Sequence, residues 1–345
     1  MEPLKIGVAY HSNRLFKSVR EDMDEIVAKG FNSVVHMFTH NDWKRCPSVV
    51  KDIFDYTKWL GLDFSVDNWG LMGAPGDACH FLSYHPEAAR MFSDGTPNSP
   101  HVCLNSPAFI EWSKEWIDKV YEMGGRSIFW DEPFLKSDKE RFTCACPHCK
   151  KLFEEKYNRP MPVIPDKDCF DFQVWSIVNY FAQVTEYSNS KGMKNSVCVM
   201  AGGDLGININ NVGKLALPYM DGLGTDPYWS SKEDYIVNEW VYEHVYTHTR
   251  KLIDVCEKTG KDHNLWVMAY SSAAGRERNT VYGAEAAYDA GARNIYFWGF
   301  RGCDGNEYRS ANPYMHWAAV GDAVKRLWDK ERDRIVTNAR NKMGL

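Results

Sequence analysis

The sequence predicts an α/β fold, a parallel (β/α)8 barrel of the TIM type, as a single domain with long loops at its C-terminal face. Three observations carry that expectation. Short apolar runs of strand length alternate with helical stretches eight times along the chain, as expected for strands buried on both faces of a parallel sheet. Polar and aromatic residues collect just after those runs, where such barrels keep their sites. The chain has 345 residues and contains no repeat, low-complexity segment or linker that marks a second domain, a length normal for one barrel with long loops.

In chain order, Leu4–His11 reads as the first strand, and Phe16–Lys29 as a helix that closes at Gly30. Ser33–Phe38 is the second strand, with His36, Thr39 and His40 at its end, and Ser48–Leu60 is helical. Leu62–Val66 is the third and runs into Asp67-Asn68-Trp69-Gly70. The stretch from Leu71 to about Cys103 is rich in Gly, Pro, Ser and His and reads as a long irregular loop, which in a compact domain is usually functional. Pro107–Met123 is an amphipathic helix, and Gly124-Gly125 leads to the fourth strand, Ser127–Trp130. Lys150–Tyr157 and Phe172–Ser190 read as helices. Ser196–Ala201 and Gly222–Thr225 are the fifth and sixth strands, with the helix Glu239–Lys258 after them. Leu265–Ala269 is the seventh strand, Val281–Ala290 a helix, Asn294–Phe300 the eighth strand and His316–Val336 the closing helix.

Composition narrows the function classes. A net charge of -5 without a basic run argues against nucleic acid. No apolar run reaches the roughly 20 residues that span a membrane. The start Met1-Glu-Pro-Leu-Lys-Ile passes straight into a strand without a leader pattern, so the expected location is the cytoplasm. Ten cysteines there point to free thiols and a metal site rather than disulfides. Aromatic residues make up 14% of the chain, enough to supply stacking platforms for a carbohydrate as well as a core. The oligomeric state is open, a homo-oligomer included.

The chemistry centres on Arg126-Ser-Ile-Phe-Trp-Asp-Glu-Pro-Phe-Leu135. This strand delivers Asp131 and Glu132 at its C-terminal end, and Pro133 stops the ladder. A carboxyl at that place among Phe129, Trp130, Pro133 and Phe134 is a good general acid, because apolar walls raise its pKa. Glu132 is the preferred acid. Neighbouring side chains on a strand face opposite ways, so Asp131 and Glu132 both point inward only through a twist or bulge. Cleaving a glycosidic bond takes a second carboxylate across the sugar. Asp67, Asp204, Asp226, Glu277 and Asp304 are candidates, with Asp226 preferred because Gly-Thr-Asp-Pro-Tyr-Trp sets it at a strand end beside two aromatics. His36, Asn68, Trp69, Tyr228, Trp229, Tyr270, Trp298, Arg301 and Asp304 are candidate substrate contacts at the mouth. Arg301 and Asp304 either grip hydroxyls or pair with each other.

Cys144-Ala-Cys146-Pro-His-Cys149 offers three thiolate ligands in six residues. A structural zinc takes four tetrahedral ligands, so a fourth comes from elsewhere, with Cys103 ahead of His148. Such a loop, around 140–150, would be stapled by the metal, a structural role.

Three pieces of residues 67–157 resemble the catalytic barrel of family-42 glycoside hydrolases, the zinc-containing β-galactosidases of the retaining (β/α)8 superfamily. They are His85-Pro-Glu87 with Asp94-Gly95, then Cys103-Leu-Asn-Ser-Pro107, close to that family's Cys-Pro-Asn-Ser-Pro, and last the acid-bearing strand with its cysteine loop. The resemblance implies a structural Zn2+ on Cys103, Cys144, Cys146 and Cys149, and the acid/base role for Glu132. Two features depart from it. The family's preceding Asn is Asp131 here, and its nucleophile, a Glu ending the seventh strand, has no counterpart in Trp266-Val-Met-Ala-Tyr-Ser-Ser272. The chain is also about half the family's length. Asp226 or Glu277 then serves as second carboxylate, and retention and inversion both stay open. Two alternatives remain beside a glycoside hydrolase: a barrel that binds carbohydrate without cleaving it, and a lyase or isomerase acting on a sugar through Asp131, His36 and Arg301.

Overall fold

The computed structural model describes residues 3–68, 78–203, 206–230, 233 and 236–343; Trp69 and Asp204 fall outside them, as does the side chain of His40. β1 (Lys5–Tyr10) leads to α1 (Phe16–Ala28), β2 (Ser33–Met37), α2 (His40–Arg45), α3 (Pro47–Trp59) and β3 (Asp63–Asp67). Then come α4 (Ala78–Tyr84) and the strands β4 (Ala89–Met91) and β5 (Pro97–Val102). α5 (Pro107–Glu122), β6 (Ser127–Trp130), α6 (Pro147–Tyr157), α7 (Lys167–Ser190), β7 (Lys194–Met200), β8 (Gly222–Asp226) and α8 (Asn238–Thr259) follow. β9 (Asp262–Met268), α9 (Asn279–Asp289), β10 (Asn294–Trp298) and α10 (Pro313–Met343) complete the chain.

Eight strands close a parallel barrel in the order β1, β2, β3, β6, β7, β8, β9, β10 and back to β1. The predicted fold class is thus the observed one. The stretch expected as an irregular loop before Cys103 is not structureless. It holds α4 and an antiparallel β4–β5 pair, which the Gly/Pro-rich composition hides because the strands are short. α2 was also absent from the sequence reading. Its Thr39–Asp42 capping box starts it where no apolar periodicity shows.

Alternation sorts the side chains into two layers. One face of each strand packs on the helices in the main core. The other fills the barrel with Ala9, Val35, Met37, Phe129, Cys198, Trp266, Tyr296 and Trp298. Gly224 has no room for a side chain, since a Cβ there would lie 1.9 Å from the Asn264 Oδ1. The same face of β8 carries Asp226 two residues further on, at the mouth. Among the described residues, no helix is long and apolar enough to cross a membrane.

Candidate active site

The mouth is built on β6 and β8. Phe129 faces into the barrel, so alternation also turns Asp131 inward. Trp130 faces out, donating to the Asn195 Oδ1 at 3.1 Å and packing on Trp116 and Phe181. Glu132 shares the outward parity of Trp130. Its backbone takes φ +26° instead, a left-handed conformation that a side-chain-bearing residue adopts only when its surroundings hold it there. That kink is the twist the acid pair needs. It brings the Glu132 carboxyl over the barrel, where it hydrogen-bonds with Asp226.

Two carboxyl groups hydrogen-bond to each other only by sharing a proton, because a carboxylate has no donor. Burial first, and then the charge of Glu132, pushes Asp226 well above the ordinary carboxylate range. Burial and Glu132 do the same for Asp131. Asp226 is nearly closed off from solvent, and its Oδ1 has no hydrogen-bond partner among the described residues. Asp67, at the end of β3, is fully buried and close enough to act electrostatically on Cys198, as Asp131, Glu132 and Asp226 do. Four carboxyl groups therefore gather above the Cys198 thiol, with no lysine or arginine among the dominant influences on Asp131 or Asp226.

Aromatic rings line this cluster. Tyr228 and Tyr270 meet edge to face at 5.2 Å, and Tyr270 meets Tyr308 at 5.9 Å. Trp298 lies on the floor, against Trp266 at 5.6 Å and stacked on His11 at 5.8 Å. Burial, with Arg14 adding to it, lowers the His11 pKa to about 4, so its ring is neutral at physiological pH. The Asn68 Nδ2 is buried at the end of β3 without a partner among the described residues. It is a donor available to a ligand.

The structure thus brings together Glu132, Asp131, Asp226, Tyr228, Tyr270 and Trp298, while Asn68 is buried at the end of β3 beside Asp67. Five expected residues are elsewhere. His36 has outward parity and points at α3, with its Nε2 2.9 Å from the Thr57 hydroxyl; burial lowers its pKa to about 3. Trp229 follows the inward-facing Tyr228 and packs in the outer core against Gly283. Arg301 turns back on α1, where it pairs with Asp22 at 3.1 Å and with Glu25. Asp304 pairs with Arg309 at 2.9 Å, not with Arg301. Glu277, offered as a stand-in second carboxylate, accepts from the Asn312 amide at 3.1 Å and is not among the dominant influences on Asp226. Reasoning from sequence also missed His11, Cys198, Trp266 and Tyr308. Parity along their strands finds the first three. Nothing in the sequence signals Tyr308, which enters from the loop after β10.

Outside the barrel, the Sγ atoms of Cys103, Cys144, Cys146 and Cys149 all lie within 4.8 Å of one another. Cys103 and Cys149 are 3.4 Å apart, and Cys103 and Cys146 3.7 Å. A disulfide measures about 2.05 Å. A tetrahedral ion with about 2.3 Å bonds to sulfur sets its ligands about 3.8 Å apart. The buried cluster therefore has the spacing to hold a metal ion. Pro147 starts α6, and the Cys146 sulfur caps it by accepting from the Cys149 amide at 3.5 Å. That helix N-terminus favours thiolate. Hydrogen bonds with Cys103, Cys144 and Cys149 hold Cys146 far below the ordinary thiol range. The Asn105 amide donates to the Cys149 sulfur at 3.4 Å. Arg90 is fully buried beside the cluster; burial lowers its pKa to about 10, and Cys144, Cys103 and Cys149 act against that shift.

No protein-family model matches the chain, and no curated protein matches it. Solved structures do. The catalytic domain of a β-amylase from Paenibacillus polymyxa superposes with a TM-score of 0.60 at 10% identity, over 91% of this chain and 96% of that one. GH5_18 from Bifidobacterium longum subsp. longum gives 0.60 at 12%, over 96% and 80%. A D-allulose 3-epimerase from Methylomonas sp. in complex with D-allulose gives 0.50 at 12%, over 95% and 98%. At such identities the likeness is one of fold.

Proposed function

We propose that this chain is a glycoside hydrolase whose reacting pair is Glu132 and Asp226. The observation that carries the reading is the shared-proton contact between these two carboxyl groups, at the mouth of a barrel lined with Tyr228, Tyr270 and Trp298. Such a pair holds one acidic and one ionised carboxyl at the same pH. Glu132, in the position that resembles the family-42 acid/base, protonates the leaving-group oxygen. Asp226 is then the nucleophile once the shared proton has passed from it to Glu132. Inverting enzymes set their two carboxyl groups about 6.5–9.5 Å apart to admit a water and retaining ones about 5 Å apart, so a close Glu132–Asp226 pair favours retention. The reaction is therefore retaining, with the nucleophile moved from the seventh barrel strand, β9, to the sixth, β8. β-Amylase and GH5_18 as fold neighbours agree with a sugar substrate, and the three family-42-like motifs favour a β-galactosidase-like enzyme. Zinc on Cys103, Cys144, Cys146 and Cys149 shapes the loop after β6 and takes no part in bond cleavage.

The experiment is a panel of aryl α- and β-glycosides, with Glu132→Gln as control and the product anomer followed by NMR. The expected results are turnover with retained configuration and a loss of about 10²–10⁴-fold in the variant. Unchanged turnover in Glu132→Gln removes the assignment. Binding of a sugar without any hydrolysis makes the chain a carbohydrate binder. A second reading draws on the third carboxyl, Asp131, and on the epimerase-like fold: proton abstraction beside a sugar carbonyl. Exchange of solvent deuterium into a free ketose identifies that outcome.

A further inference from the structure

Arg90 is a buried cation in the β4–β5 pair, away from the carboxylate mouth. Its strand lies between the two halves of the cysteine cluster. The carbonyl of Ala88 accepts from the Cys103 amide at 2.8 Å, and that of Met91 accepts from the Ala145 amide at 2.8 Å. The guanidinium donates through Nε to the carbonyl of Val102, beside Cys103, at 3.1 Å. Through an Nη it donates to the carbonyl of Phe134 at 3.1 Å, and it lies 5.9 Å from that residue's ring. Phe134 is two residues beyond Glu132, the residue with the left-handed backbone. One planar group thus spans the cysteine cluster and the turn that aims the acid.

Charge explains why a guanidinium stands here. A buried cation costs several kcal/mol unless an anion accompanies it. Four thiolates around a divalent ion carry a net charge of about -2, and Arg90 offsets part of it. Its rigid fork lets it do so while holding two carbonyls.

We propose that Arg90 is a positioning residue that couples metal occupancy of the cysteine cluster to the geometry of the Glu132 turn. With the ion bound, Arg90 is held by its counter-charge and pins Phe134. With the ion absent, nothing ties Cys103 to Cys144, Cys146 and Cys149 on either side of β4, the Val102 and Phe134 carbonyls are no longer fixed on one fork, and the 131–137 segment loses its anchor. Gln173 on α7 holds the far end of the same segment, bonding to the carbonyl of Thr143 and to the Ser137 hydroxyl at 2.7 Å. Arg90 is therefore the link on the acid side. The catalytic consequence rests on the glycosidase reading; the structural coupling does not.

The test uses the full chain loaded with zinc, as wild type, Arg90→Met and Arg90→Lys. Zinc release is followed with a chromogenic chelator, and amide exchange over 127–137 by mass spectrometry. Arg90→Met is expected to release zinc about tenfold faster and to exchange faster over 131–137. Arg90→Lys is expected to restore slow release but not protection, because an ammonium replaces the charge without the fork. Wild type stripped of zinc should show the same added exchange. With aryl glycosides, Arg90→Met should lose about tenfold more kcat on poor leaving groups than on activated ones, with KM nearly constant, since only the former need the acid. Unchanged release and exchange in Arg90→Met overturn the proposal. If that variant does not fold, unchanged exchange over 131–137 in stripped wild type overturns it instead. A wild type without glycosidase activity overturns the function proposed above and leaves the release and exchange measurements decisive for Arg90.

Discussion

The carboxylate mouth and the cysteine cluster are both buried groups of acids, and they resolve the same problem in opposite ways. At the mouth, burial and neighbouring carboxyl groups push Asp131 and Asp226 up, with no cation among the dominant influences. Such a site keeps its protons. At the cysteine cluster, a helix N-terminus, the Asn105 amide and the Arg90 guanidinium all favour the ionised form. Cys144 and Cys146 shift down while Cys103 and Cys149 shift up, and the spacing of the four sulfurs could hold a cation. Two buried groups of acids thus differ: one holds its protons, and the other has the spacing to hold a metal ion. The difference lies in the second layer of groups around them.

The largest expected effect breaks the mouth. Asp226→Asn should lower turnover by about 10³-fold or more, as expected on losing a nucleophile. It should also raise stability at neutral pH, and the sign follows from the raised pKa. The folded state holds the Asp226 proton more tightly than the unfolded state does. Its contribution is favourable below the unfolded value near 3.8 and is lost as pH rises toward the folded value. The variant lacks that penalty, so its advantage in Tm should vanish near pH 3–4 and grow toward pH 8, by about 1–2 °C for each kcal/mol relieved. A variant less stable than wild type at pH 8 contradicts the picture of an uncompensated acid cluster.

The cysteine cluster should respond in the other direction. Cys146→Ser removes the thiol that caps α6 and should take bound zinc from about one per chain to near none, measured by metal analysis. Tm should fall rather than rise, and chelator should no longer shift it. Full stability with no metal in the wild type removes the distinction between the two clusters.

The barrel was legible because its strands are short, apolar and separated by amphipathic helices, a pattern that survives loop insertions. The cysteine cluster was legible because Cys144, Cys146 and Cys149 are compactly spaced, while Cys103 came from its place before α5 and from the family resemblance. The mouth was legible only in part. A strand-end residue faces the mouth when its parity is inward, and Val35 and Met37 set His36 outward, as Tyr228 sets Trp229. Parity would have removed both. It would also have misplaced Glu132, whose left-handed backbone rotates an outward position inward, and no glycine or asparagine announces that turn. Arg301 was misread for another reason. The chain bends back after β10, with φ +47° at Arg301 itself, so its side chain reaches α1, nearly the length of the chain away.

That last residue gives the smallest effect and the sharpest test of which arginines matter. Arg301 pairs with Asp22 and Glu25 at the barrel's outer layer, and Asp22 is itself buried and accepts from the Tyr10 hydroxyl at 2.7 Å and the Asn13 amide at 2.8 Å. Removing the guanidinium leaves Asp22 two donors and leaves Glu25 the Trp317 indole at 2.7 Å. The guanidinium is about a third exposed, so solvent screens its pairs. Arg301→Met should therefore cost about 1–2 kcal/mol of stability, read as a lower midpoint in urea, while KM for any glycoside stays within about twofold of wild type. A KM raised about tenfold with stability intact would put Arg301 back at the substrate, and would mean that the loop after β10 swings from α1 to the mouth when sugar binds.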